Sequence, residues 1–148
     1  MASIVRRVNP AAGRAFTDFG RGFYTTTVER QARSWAWGLS LRSPGSMPAV
    51  VQFTVDRNKL AELDTVWFVR GSFDADDFWS LVHHCRHAGG DHRRGLMRRK
   101  QPVKWYDVVV GPVAASWRQR LAISDADQAS FHSAAATGLL NASNPVLI

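Results

Sequence analysis

Two glycines one residue apart inside an aromatic run, Phe19-Gly20-Arg21-Gly22-Phe23-Tyr24, limit this chain more than any other stretch. Glycine permits positive φ and a backbone approach that a Cβ would block. The run therefore reads as a turn that delivers Phe23, Tyr24 and Thr25 into a short strand. A helix is expected next: Thr26 and Glu29 have the spacing of a capping box, and Val28, Ala32, Trp35, Ala36 and Leu39 recur at helical intervals. Tyr24 and Trp35, carried by a turn and a rigid helix, could hold a flat heteroaromatic ring between them. The plainer alternative is a glycine turn before a core strand, with Trp35 as a core aromatic.

The rest of the pattern is a series of short elements. Residues 1–17 read as irregular, broken at Pro10 and Gly13, and 42–48 as a loop. Val51, Phe53 and Val55 alternate with Gln52 and Thr54 in an expected strand over 49–55, and 65–69 is a second short apolar strand. Asp74 is placed to cap a helix on which Phe78, Leu81, Val82 and Cys85 share one face. Residues 87–104 read as a solvated basic loop. Tyr106–Val110 is a buried-type strand that should end at Gly111-Pro112. Gln128–His132 alternates, with Ala129 and Phe131 toward the core and Gln128, Ser130 and His132 opposite. A small-residue helix over 133–140 closes the chain. Short strands with few helices predict an α+β fold in one domain, residues 1–148.

Composition narrows the function classes only a little. With 45% hydrophobic residues, six Trp and eight Phe, the chain can build a core, and global disorder is not expected. No apolar run nears the ~20 residues that a membrane helix needs. Met1–Asn9 is too short, and too interrupted by Arg6 and Arg7, to read as a secretory signal. A net charge of +7 suits phosphate-bearing ligands, nucleic acid or acidic proteins without choosing among them.

Four ordered segments carry a resemblance. Asp18-Phe19-Gly20-Arg21-Gly22-Phe23-Tyr24-Thr25-Thr26, followed by Gln31-Ala32-Arg33-Ser34-Trp35-Ala36, resembles the corresponding segment of the ADP-ribosyltransferases. The similarity is to their His-Tyr-Glu branch, which includes the poly(ADP-ribose) polymerases and diphtheria-toxin-like enzymes, and more closely to small bacterial relatives. Leu81–Arg86, Tyr106–Ala114 and Asp127–Ser133 resemble three further segments of those relatives, in the same order.

The resemblance implies an ADP-ribosyltransferase-like split mixed β-sheet with flanking helices, and NAD as substrate. It implies that Phe19, Gly22, Phe23, Tyr24, Thr25 and Trp35 line the NAD site, with Tyr24 and Trp35 around the nicotinamide. Gln128 falls at the late-strand position of the usual catalytic glutamate, so Tyr24 and Gln128 are the expected catalytic residues, with Asp125 or Asp127 as other sources of a carboxylate. The sequence departs from the pattern in two places. No His-Gly stands near residues 2–4, where Arg6 or Arg7 would have to serve instead, and Ala32 replaces a hydroxyl residue. The expected activity is mono-ADP-ribosyl transfer to a protein or nucleic-acid acceptor, by a bacterial toxin or effector. Such a protein would act in the cytoplasm or be injected into a target cell, and could be held by an antitoxin or immunity protein. A non-catalytic nucleotide- or nucleic-acid-binding module and an NAD glycohydrolase are the competing readings.

Other signals are weaker. His83, His84, Cys85, His87 and His92 look like metal ligands, but adjacent His83 and His84 point to different helix faces and Cys85 belongs to the apolar stripe, so no metal site is expected. Ser130 and His132 lack the setting of a hydrolase pair. The basic run from Arg93 to Lys104 reads first as a solvated loop and second as a phosphate-contacting arm.

Overall fold

The computed structural model describes residues 7–71, 75–88, 97–98, 101–102 and 106–148. A 3-10 turn, Pro10–Ala12, precedes strand β1 (Phe23–Thr25) and helix α1 (Glu29–Leu41). Strand β2 (Val51–Gln52), helix α2 (Arg57–Ala61), strand β3 (Thr65–Trp67) and helix α3 (Ala75–Ala88) follow. Two short strands, β4 (Met97–Arg98) and β5 (Gln101–Pro102), pair antiparallel. The long hairpin of β6 (Val108–Ser116) and β7 (Leu121–Phe131) leads to helix α4 (Ala134–Asn141) and strand β8 (Val146–Leu147).

The order β1-β7-β6-β3 makes a mixed four-stranded sheet, antiparallel except where β3 joins β6 in parallel. The fold is therefore α+β. The register sets Val66, Val109, Ser130 and Tyr24 in one row, facing one side. The next row, Thr65, Val108, Phe131 and Phe23, faces the other, because side chains alternate along a strand. Each side is covered. Phe19 and the α3 residues Phe78, Leu81, Val82 and Cys85 pack on Val109, the face that the helical spacing predicted for α3. Val8, Ala136 and Leu140 pack on Val108 and Phe131, with Phe53, Val55, Leu60 and Leu63 around them. The expected division of β7 holds in direction, but the side of Gln128, Ser130 and His132 is as buried as the side of Phe131.

Several expectations are corrected. The strand expected over 49–55 is ladder-paired only at Val51 and Gln52, against β8, although Phe53 and Val55 do turn inward. The strand expected to stop at Gly111-Pro112 runs on to Ser116. Pro112 lies past the last β3 pair, Trp67 with Val110, on a stretch of β6 that has become an edge, where a missing N–H breaks no ladder bond. The 87–104 stretch is not wholly loop: α3 reaches Ala88, and β4 and β5 form a hairpin. The rest of that basic run, together with Asp74, lies outside the described residues.

Helix α1 departs most. Val28 is its N-cap, and no side chain caps it. The expected capping box fails because Thr26 is two residues too early and its hydroxyl serves Asp127 instead. The expected apolar stripe is not a core stripe: no α1 residue is buried, and Trp35 is 66% exposed. Trp37, Leu39 and Leu41 are exposed as well. At the other end of the chain, α4 has a conventional start, with the Ser133 hydroxyl accepting the Ala136 N–H.

Candidate functional site

The glycine turn is organised around a phenol. The Tyr24 hydroxyl donates to the Gly20 carbonyl at 2.8 Å and accepts from the Phe19 N–H at 3.0 Å, with the Thr17 hydroxyl 2.8 Å away. Its ring lies near-parallel to Phe19, with centroids 6.4 Å apart, and edge-on to His132. Burial drives the Tyr24 phenol far above its ordinary pKa, against the opposing effect of its hydrogen bonds with the Thr17 hydroxyl and the Phe19 N–H. Gly20 takes φ +78°, as the turn requires. Gly22 is needed for space: a Cβ there would sit 2.8 Å from the His132 ring and 3.0 Å from the Phe131 carbonyl. His132 ties the glycine turn to β7, with Nδ1 2.9 Å from the Arg21 carbonyl and Nε2 2.7 Å from the Ser130 hydroxyl.

Behind this turn lies a buried polar centre. Asp18 is 2% exposed, and its carboxylate accepts four hydrogen bonds. Arg86 on α3 gives two to Oδ1, from Nε at 2.8 Å and Nη2 at 2.5 Å. Oδ2 takes the Ala114 N–H of β6 at 2.9 Å and Nε2 of Gln128, on β7, at 2.6 Å. Gln128 Nε2 also donates to the Pro112 carbonyl at 2.9 Å. One carboxylate thus joins the glycine turn, α3, β6 and β7. Among the described residues Gln128 Oε1 has no hydrogen-bond partner, and it is not among the fully enclosed polar atoms that lack one. The amide therefore keeps one open acceptor.

Asp127 is committed elsewhere. Its carboxylate accepts the Thr26 hydroxyl at 2.6 Å, the Thr27 N–H at 2.9 Å and the Thr27 hydroxyl. Gln31, in the first turn of α1, brackets the Asp127 backbone, donating to its carbonyl at 2.8 Å and accepting its N–H at 3.1 Å. This clasp fastens the start of α1 to β7. Asp127 is consequently a structural carboxylate, and Asp125 is exposed with φ +54°. Beside Gly111, the register partner of Gln128, a shallow notch of about 170 Å³ is lined by Phe68, Arg70, Pro112 and Asp127, among others.

The sequence-predicted residues fall into two groups. Phe19, Gly22, Tyr24 and Gln128 belong to one buried assembly, with Phe23 and Thr25 on the opposite face of β1. Trp35 stands apart on the exposed side of α1, and among the described ring contacts it has none with Tyr24. One face of the Tyr24 ring is taken by Phe19 rather than left open. Asp18 and Arg86 had no role assigned from sequence, although both lie in the quoted segments. His83 stacks on His87 and packs edge-on to Trp117, while Cys85 faces the core.

The chain belongs to a family of proteins of unknown function (DUF3990), whose model matches residues 2–125. The match takes in the glycine turn, α1, α3 and β6, and stops three residues short of Gln128. No curated protein and no solved structure matches the chain. Among the described residues, no helix is long and apolar enough to cross a membrane.

Proposed function

We propose that this protein is an NAD-dependent mono-ADP-ribosyltransferase, with Gln128 holding the ribose and Trp35 stacking on the nicotinamide. The observation that carries the reading is the Gln128 amide. Both its N–H groups have acceptors, and its oxygen remains open on the strand where the quoted segments call for a ribose contact. Cleavage of the nicotinamide–ribose bond passes through an oxocarbenium-like ribose, as in glycoside hydrolysis. A fixed acceptor on a ribose hydroxyl orients the sugar and gains strength as positive charge develops. Gln128 brings no negative charge of its own, and Asp127 is bound up in the α1 clasp, so the side chain at 128 acts by orienting the ribose rather than by neutralising its charge. The proposed acceptor is a protein or nucleic acid, reached in the cytoplasm or after injection, with an antitoxin or immunity protein as holding partner.

Incubation with NAD labelled in its adenylate portion, with and without cell extract, tests this. Label on a macromolecule is the expected result, and Gln128→Ala should lower nicotinamide release about 100-fold. Unchanged NAD consumption in that variant rejects the role of Gln128. Free ADP-ribose with no labelled acceptor identifies a glycohydrolase. A second reading, a non-catalytic nucleotide-binding module, draws support from the packing of Phe19 on the Tyr24 ring. NAD bound but left intact would select it.

A further inference from the structure

A glutamine side chain can be turned end for end with almost no change in volume, so something must decide which end meets a ligand. At Gln128 the deciding group is on the opposite side of the amide. We propose that Asp18 is a positioning residue for the reaction above. Its carboxylate, held by Arg86 and the Ala114 N–H, fixes the Gln128 amide so that Oε1, not Nε2, is presented to the ribose hydroxyl. The inference rests on the ADP-ribosyl-transfer reading and adds the polarity of the site to it.

The argument is one of donors and acceptors. Asp18 Oδ2 and the Pro112 carbonyl can only accept, and both lie within 3 Å of the same Gln128 nitrogen. Turning the amide over would set Oε1 against two acceptors and take from Asp18 Oδ2 and the Pro112 carbonyl the donor they share, in a place where Gln128 is 8% exposed. The carboxylate cannot turn away, because the Arg86 guanidinium grips Oδ1 through two nitrogens and the β6 backbone holds Oδ2. A glutamate at 128 would bring two carboxylates as close as Asp18 and the amide are now, at 2.6 Å. The centre as built requires an amide at 128.

The test uses the full chain. In ¹H–¹⁵N spectra, the side-chain NH₂ signals of Gln128, assigned by their loss in Gln128→Ala, should exchange slowly with solvent in the native protein and rapidly in Asp18→Asn. In NAD cleavage, Asp18→Asn should lower kcat roughly 10- to 100-fold with little change in KM, since orientation rather than binding is lost. Gln128→Glu should lower kcat rather than raise it. The double variant Asp18→Asn/Gln128→Glu should recover activity relative to Gln128→Glu, because the asparagine can donate to the new carboxylate. If Asp18→Asn does not fold, Arg86→Lys and Gln128→Glu carry the test, with near-UV circular dichroism confirming their packing. Gln128→Glu as active as the native chain, or NH₂ signals and kcat unchanged in Asp18→Asn or Arg86→Lys, overturns the proposal. If the native chain cleaves no NAD while the NH₂ signals behave as expected, the parent reading fails and takes the ribose assignment with it. The control of the amide by Asp18 is then retained.

Discussion

On one face of the central sheet, Val108 and Phe131 meet Val8, Ala136 and Leu140. On the other, Val109 meets Phe19 and the apolar side of α3, and beside that core lie Asp18, Gln128, Ser130 and His132, all buried. The two halves are closed by forces of different kinds. Apolar packing is non-directional and accepts any filling of the right volume. A buried carboxylate with four donors accepts one arrangement and punishes the loss of any partner. The apolar half can therefore drift in sequence while keeping its shape, and the polar half holds fixed directions. A site that must present one atom in one direction belongs on the second half, which is where Gln128 stands.

The contrast can be broken by substitution. Asp18→Ala should be the most damaging, at about 3–5 kcal/mol, because it strands the Arg86 charge along with the Ala114 and Gln128 donors. Urea unfolding checks this, and a loss below 1 kcal/mol would mean that the polar centre holds nothing together. Leu140→Ala on the apolar face should cost about 2–4 kcal/mol by leaving a cavity, without altering the Gln128 side-chain signals. Gly22→Ala should cost about 1–3 kcal/mol, since the new methyl meets the His132 ring. Ser133→Ala should cost about 1 kcal/mol through loss of the α4 cap. Trp35→Ala should leave stability within about 0.5 kcal/mol of native while weakening NAD binding, which separates a surface ring with a ligand role from a core ring. A loss of several kcal/mol there would make Trp35 a packing residue.

Alkaline pH sharpens the same comparison. With its folded pKa raised by burial, Tyr24 favours the folded state fully below the unfolded value of about 10, and that contribution is lost as pH rises beyond it. Tyr24→Phe should flatten the loss of stability in that range, measured by urea midpoints at successive pH values.

Much of the fold was legible because its elements follow simple periods. The 3.6-residue stripe Phe78, Leu81, Val82, Cys85 located the buried side of α3, and the alternation in β7 gave its two sides correctly. The same logic misled at α1, since periodicity reports which residues share a face, not whether anything covers it. Helix α2, five residues long, is too short to show a period at all. Gly111-Pro112 read as a stop because the sequence does not reveal that β3 has already ended beside it. The glycine turn was visible locally, and Gln128 was singled out by the resemblance. The partners of Gln128 were not: Asp18 lies 110 residues away and is brought to β7 by the pairing of β1 with β7, and the Pro112 carbonyl by the pairing of β6 with β7.

The attachment of α1 has a mechanical consequence. The helix is tied to the sheet through Thr26, Gln31 and Asp127 at its first turn, and no residue beyond that point is fully buried. Trp35 sits about 9 Å along from the moored end at 1.5 Å per residue, so a tilt of some 10° would carry its ring about 1–2 Å while the strands stay still. The Trp35 ring thus rides on a lever whose motion displaces no residue of either core cluster.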